Sequence, residues 1–183
     1  MERSKKIVLI SHCLLNVNAK VIGLAHSEAG SITLVTELLK RGYGIIQLPC
    51  VEQFVCGCQR WGQVKEQLAH PHYRQTCRQL LLPVVQQIQD FTASGYHVSG
   101  VIGIDGSPSC GVNSTCSGKW GGELSALFSV PQVLDTLRPT AEMGVMMEEL
   151  HEMLLDCNLT IPFMAVEEER QQGDSAAHIL DAF

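Results

Sequence analysis

The chain contains no stretch approaching the ~18 consecutive apolar residues of a membrane-spanning helix, no run of basic residues, no phosphate loop and no internal repeat. Each absence closes off a class of function. The start, Met1 to Leu15, has a positive beginning and a short apolar run, but His12, Asn16 and Asn18 interrupt it and it does not read as a signal peptide. A cytoplasmic protein with no membrane partner is expected. The 13 Lys and Arg residues are scattered among 19 Asp and Glu, for a formal net charge of -6, so nucleic acid is not an expected partner either. Gly103, Gly106 and Gly111 do not form the Gly-x-Gly-x-x-Gly fingerprint after a first strand, and no Gly-Lys-Ser/Thr loop occurs. ATP and NAD are disfavoured as required cofactors.

What is present fits a globular protein. The 183 residues, 45% apolar and 17% charged, suffice for one compact domain with a sizeable core. No linker or boundary divides residues 1–183, and the acidic stretch 167–183 is expected either to add a short terminal helix or to stay mobile. Lys5 to Ser11 reads as a buried strand, continuous, apolar and β-branched. Ile32, Val35, Leu38 and Leu39 recur at helical spacing from Ile32 to Lys40, with Ser31 as a cap and Gly42 as a stop. Gly44 to Leu48 is a second strand, ended by Pro49. Tyr73 to Thr92 is a long helical stretch, in which Pro83 predicts a kink or break. Tyr96 to Asp105 reads as a third strand, Glu142 to Leu155 as a helix and Leu159 to Val166 as a fourth strand. Residues 12–28, 50–71 and 106–125 read as loops. Strands alternating with helices predict an α/β fold, a mainly parallel sheet with helices on both faces, and in such folds ligands bind beyond the C-terminal strand ends.

Eight cysteines are many for such a chain. A protein with its own core needs no disulfide framework, which leaves buried cysteines, metal ligands or reactive thiols. Cys13 follows the first strand, Cys50 the second and Cys110 the third. Parallel strands roughly 5 Å apart would bring all three to one edge of the sheet. An all-sulfur trio suits a soft metal or an iron–sulfur cluster, and tight turns rich in Gly and Ser can donate backbone N–H groups to sulfur. Ordinary buried cysteines are the plainer alternative.

At the same residues the chain resembles the thiouracil-desulfidase-related family. The matching pieces are Ser11-His12-Cys13-Leu14-Leu15, Pro49-Cys50-Val51-Glu52 and, most specific, Gly106-Ser107-Pro108-Ser109-Cys110-Gly111. The resemblance spans roughly residues 5 to 125. It implies a Rossmann-like domain carrying a [4Fe-4S] cluster on Cys13, Cys50 and Cys110, with Glu52 as the acid, Ser107 as the assisting serine and Ser109 as its neighbour. The expected activity is desulfidation of a small sulfur-containing molecule: a thiocarbonyl sulfur binds the open iron as a Lewis acid, and water activated by Glu52 attacks the carbon. Ser107 or turn N–H groups would then stabilise the developing charge. The chain departs from the family at His12, at Asn16-Val17-Asn18-Ala19-Lys20, at Val51, and in adding Cys56-Gly57-Cys58-Gln59-Arg60-Trp61-Gly62. Two alternatives stay open: a non-catalytic iron–sulfur or zinc protein, and a metal-free cysteine-based sulfur transferase.

Other residues carry weaker signals. His12 would donate a proton or simply hydrogen-bond at the strand end. Arg60, Trp61 and Lys65 are candidates for holding an anionic or aromatic substrate, with packing an equal reading for Trp61. Cys56 and Cys58 would be a further metal site, a redox pair, relay thiols or inert loop residues. Cys77, Cys116 and Cys157 read as structural. His26 and Glu28 would line the pocket or be solvated, and His70 and His72 mark a helix entry. Met143, Met146, Met147 and Met153 fit a helix packing on the sheet or on a partner chain, which leaves a homodimer open.

Overall fold

The structure is a computed structural model that describes residues 2–25, 30–123, 130–167 and 178–181. His26, Glu28 and most of the acidic tail lie outside the described residues. The elements run β1 (Lys6–Ile10), α1 (His12–Leu15), a 3-10 turn (Val17–Ala19), α2 (Ile32–Lys40), β2 (Tyr43–Gln47), α3 (Val51–Cys56), α4 (Lys65–Leu68), α5 (Pro71–Ala93), β3 (His97–Asp105), β4 (Thr115–Ser117), α6 (Val130–Leu134), β5 (Arg138–Thr140), α7 (Val145–Asp156) and β6 (Phe163–Glu167).

Four strands form a parallel sheet in the order β2-β1-β3-β6. Alternation along β1 divides the core. Ile7 and Leu9 face the layer built by α5 and α7, with Tyr73, Leu81, Ile88, Met146, Met147 and Leu150. Val8 and Ile10 face Leu34 and Leu38 of α2, together with Ile179 and Leu180. Helices therefore cover both faces, in a Rossmann-like arrangement. The connection from β1 to β2 runs over one face and that from β2 to β3 over the other, so the topological switch point, where such sheets open a crevice, lies between β1 and β3.

Several elements differ from expectation. Pro83 does not break α5, which runs through it for 23 residues. Residues 82 and 83 face solvent, where water can satisfy the carbonyl that proline leaves without a donor. Ser31 occupies the cap position of α2 but makes no side-chain bond there. The fourth strand begins only after Pro162, whose carbonyl accepts from Val101 N–H. The loop 106–125 contains β4, which pairs antiparallel with β5 in a small second sheet. Within the tail, residues 178–181 are helical and Ile179 and Leu180 are buried, held by Arg41 Nη1 donating to Leu180 O.

Candidate functional site

β1, β2 and β3 are neighbours, and at their C-terminal ends the chain delivers Cys13, Cys50 and Cys110. Ser11 N–H donates to Ile102 O and Leu48 N–H to Ile10 O, carrying the ladder one step past the strands before the loops diverge. Cys13 is the second residue of α1. Cys50 stands at the N-cap of α3, where its sulfur accepts from Gln53 N at 3.4 Å.

Cys110 is held by a turn with many restraints. Ser107 Oγ accepts from Ser109 N at 3.3 Å and from Cys110 N at 3.0 Å. The Asp105 carboxylate gathers the N–H groups of Val112, Asn113 and Ser114 at 3.0, 2.8 and 3.3 Å. The free N–H groups at the start of α7 reach the same turn: Val145 N–H donates to Pro108 O at 2.9 Å and Met146 N–H to Ser109 O at 3.0 Å. That approach needs Gly144, where a Cβ would stand 2.5 Å from the Ser109 carbonyl carbon.

The three sulfurs influence one another. Interaction with Cys50 raises the Cys13 thiol, and interaction with Cys13 lowers Cys50 to about 7, so the pair keeps one proton between them near neutrality. Gln53 N–H and the Arg60 cation also favour the Cys50 thiolate, while burial and Glu52 oppose it. Lys20 favours a thiolate at Cys13. Burial pushes Cys110 up to about 12, and the charges of Cys50 and Glu52 add to this. The hydroxyls of Ser11 and Ser109 lie against its sulfur and offset part of the rise. Ser11 is wholly buried, and its hydroxyl makes no hydrogen bond of normal geometry. One thiol that ionises near neutrality thus stands beside two that stay protonated.

The other expected site residues fall around this trio. Glu52 is buried and accepts from Arg60 Nε at 2.6 Å, the two side chains being 10% and 5% exposed. Arg60 also donates to Gly57 O at 3.1 Å and Ala19 O at 2.8 Å, so its guanidinium ties three segments together under the thiols. Ser109 is buried with its Oγ 2.9 Å from Tyr73 Oη, and Ser107 is spent on the turn. The His12 ring meets the Gln47 amide at 3.1 Å and that of Asn16 at 3.4 Å, and burial lowers its pKa. Trp61 is 77% exposed and packs into no core, while Lys65 is paired with Glu142 and Glu148. Cys77 is in the core, as are Met146 and Met147.

The chain is 38% identical over 110 residues to the uncharacterized protein MJ0003 of Methanocaldococcus jannaschii, an overlap covering 60% of this chain and 70% of that one. The chain belongs to the family of MJ0003. That relative's name carries no activity and has no bearing on the resemblance to thiouracil-desulfidase-related proteins. No family model matches the chain, and no solved structure matches it.

For this member of the MJ0003 family, the expected iron–sulfur chemistry is corrected by the arrangement of the side chains. Among the described residues, no group of three or more His, Cys, Asp and Glu side chains is disposed to hold a metal ion. The physical reason lies in how the sulfurs are partnered. Cys13 is held protonated beside Cys50, and Cys110 is buried and protonated against Ser11 and Ser109, so the trio does not present the three thiolates that a metal needs. The [4Fe-4S] cofactor, the ligand roles of Cys13, Cys50 and Cys110, and the iron–sulfur-dependent desulfidase with its Glu52-activated water are withdrawn together. The same finding sets aside the iron–sulfur or zinc alternative and leaves the metal-free cysteine chemistry.

Sequence reasoning missed Tyr73 and Asp105. Asp105 had a legible signal, an acidic residue closing a strand just before a Gly- and Ser-rich loop. Tyr73 had none, since it is brought to Ser109 only by the packing of α5 on the sheet.

Proposed function

We propose that the protein is a metal-free sulfur transferase in which Cys50 is the nucleophile and the substrate is a small molecule carrying a sulfane sulfur. The observation that carries this reading is the placement of Cys50 at the N-cap of α3, where Gln53 N–H reaches its sulfur at 3.4 Å; Cys13, Gln53 N–H and Arg60 together lower Cys50 to about 7. Thiolate attacks the outer sulfur of a donor hydropersulfide; the donor's S–S bond breaks, its thiolate leaves, and Cys50 carries a persulfide. An acceptor thiolate then attacks that outer sulfur, the new S–S bond forms on the acceptor, and the Cys50 thiolate is restored. No net electrons move. Cys13 holds the proton that steadies the Cys50 thiolate, and Arg60, oriented by Glu52, adds a fixed positive charge. Cys110 stays protonated and offers an S–H donor beside the reacting sulfurs. From the resemblance to thiouracil-desulfidase-related proteins this reading keeps the three cysteine positions and the serine turn, with Ser107 as the turn's organiser and Ser109 beside Cys110. All eight cysteines are free thiols, which suits the reducing conditions of a cytoplasm.

The test is anaerobic treatment of chelator-stripped protein with inorganic polysulfide, followed by intact-mass and peptide-mapping measurements. One added sulfur on Cys50, retained after stripping and absent from Cys50→Ser, is expected. Loading that needs a metal, or that survives in Cys50→Ser, overturns the reading.

A further inference from the structure

Helix α3 carries sulfur at both ends. Cys50 caps its start; Cys56 ends it; Gly57 and Cys58 follow. Gly57 has φ 77, a left-handed conformation that glycine adopts without strain, and a Cβ there would meet nothing within 4 Å, so backbone conformation and not crowding calls for it. This turn folds the chain back so that Cys58 Sγ accepts from Gln53 Nε2 at 3.1 Å. Gln53 is also the residue whose backbone N–H contacts Cys50 Sγ at 3.4 Å. One residue thus touches the nucleophilic sulfur with its main chain and a second sulfur with its side chain. The base of the loop is fixed independently by Arg60, which donates to Gly57 O while pairing with Glu52.

The two sulfurs differ in access. Cys50 is half-buried at the strand ends, whereas Cys58 is exposed. An exposed loop cysteine without a role would lose side-chain freedom by being tethered, with nothing gained. Here it is tethered on a residue that also contacts the nucleophile, and solvent can reach it.

Resting on the transferase reading, we propose that Cys58 is an exit thiol that takes the outer sulfur from a Cys50 persulfide and presents it to an acceptor thiol outside the protein. The Cys58 thiolate attacks the outer sulfur of Cys50–S–SH. The Cys50 S–S bond breaks, a Cys58 S–S bond forms, the proton stays on the transferred sulfur, and Cys50 leaves as its thiolate, with no oxidant or reductant consumed. The acceptor thiolate then repeats the exchange at Cys58. Cys56, half-buried where Cys58 is exposed, is not part of the relay.

The test is a single turnover. Wild type, Cys58→Ser and Cys56→Ser proteins are loaded with inorganic polysulfide, desalted, and mixed either with glutathione or with a cysteine-containing peptide. Peptide mapping of quenched samples follows the added sulfur. In wild type the sulfur is expected on Cys50 first and on Cys58 afterwards. Cys58→Ser should load Cys50 fully but deliver sulfur about tenfold or more slowly, because the intramolecular step is lost. Cys56→Ser should match wild type. Dependence on Cys58 in either acceptor arm supports the relay, and the arm with the larger dependence identifies the acceptor as a small or a protein thiol. Full loading of Cys50 with unchanged delivery in Cys58→Ser overturns the relay alone. Failure of wild-type Cys50 to load overturns the transferase reading beneath it.

Discussion

Two regions of this molecule gather ionisable side chains, and they do so in opposite ways. Along the seam where α4 and α5 meet α7 and the residues just before it, Lys65 reaches Glu142 and Glu148 at 2.6 Å each, Arg74 reaches Glu148 at 2.7 Å and Glu149 at 2.8 Å, and Arg78 reaches Glu149 at 2.5 Å and also pairs with Glu152. Opposite charges there meet each other's needs. Burial works against the Glu148 carboxylate, but hydrogen bonds from Lys65 and Arg74 hold it below its usual range. At the strand ends, like groups face one another instead: three thiols and the Glu52 carboxylate share a small region with Arg60 as the buried cation. The seam is a network of opposite charges, in which even the buried Glu149 Oε2, without a hydrogen bond of normal geometry, is ion-paired with Arg78. The thiol rim is unbalanced, and the imbalance appears as one ionisable sulfur beside two that resist ionisation. Clustering alone does not mark chemistry; a cluster of like groups in which one nucleophile is pushed toward ionisation does.

The sharpest way to break this contrast is to remove the sulfur that carries the imbalance. Cys50→Ser should abolish sulfur loading at that position while leaving the fold intact, because serine is a good N-cap and keeps the Gln53 N–H satisfied. A thermal melt within experimental scatter of wild type, together with no added mass at residue 50, is the expected pair of results. A large loss of stability would mean that the thiol is structural, like the seam.

The complementary change lies in the seam. Glu149 is 3% exposed and faces both Arg74 and Arg78. Glu149→Ala should cost about 1–3 kcal/mol, less than the ~3–5 of a fully buried pair because both arginines reach solvent. Urea unfolding measures it, and sulfur loading at a temperature where the variant is folded should be unchanged.

The sheet, the two covering layers and the placement of three cysteines at neighbouring strand ends were legible in the sequence, because short β-branched runs such as Ile7 to Ile10 depend on local pattern. The helix at 32–40 was legible too, but not its buried face, since Leu34 and Leu38 are buried whereas Ile32 and Leu39, expected beside Leu38, are exposed. What each thiol does with its proton was not legible. Spacing carries Cys13, Cys50 and Cys110 to one edge but does not say which sulfur ionises and which keep their protons, and that difference separates a cluster site from a reactive thiol. Arg60 shows the same limit. Its basic character suggested a substrate contact, whereas its partners Glu52, Gly57 and Ala19 are set by how α3 and the loop after it fold back on the 3-10 turn. The strands β4 and β5 escaped because three-residue segments hold no readable period.

A smaller change sharpens the reading of the thiol pair. Cys13→Ala removes the S–H that stabilises the Cys50 thiolate, so the Cys50 midpoint should rise from about 7 toward the ordinary thiol value of ~8.5. At pH 7 the alkylation rate of Cys50 should fall by roughly tenfold, recovering as the pH is raised through the new midpoint. The rate against pH with iodoacetamide in a variant lacking the exposed Cys58 checks both the sign and the size. An unshifted midpoint would assign the lowered value to Arg60 and Gln53 and take Cys13 out of the chemistry.

The smallest effect is expected at the open end of the seam. Glu142 is paired with Lys65 at the same 2.6 Å as Glu148, but its side chain is 54% exposed against 27%. Water already screens that charge, and Lys65 keeps Glu148 when Glu142 is lost. Glu142→Gln should therefore cost only about 0.2–1 kcal/mol, and the cost should shrink further in high salt as exposed charges are screened. Urea midpoints at low and high ionic strength read this directly. If Glu142→Gln proved as costly as Glu149→Ala, contact distance rather than burial would govern the seam. The distinction between the charge-paired seam and the thiol rim would then have to rest on sulfur reactivity alone.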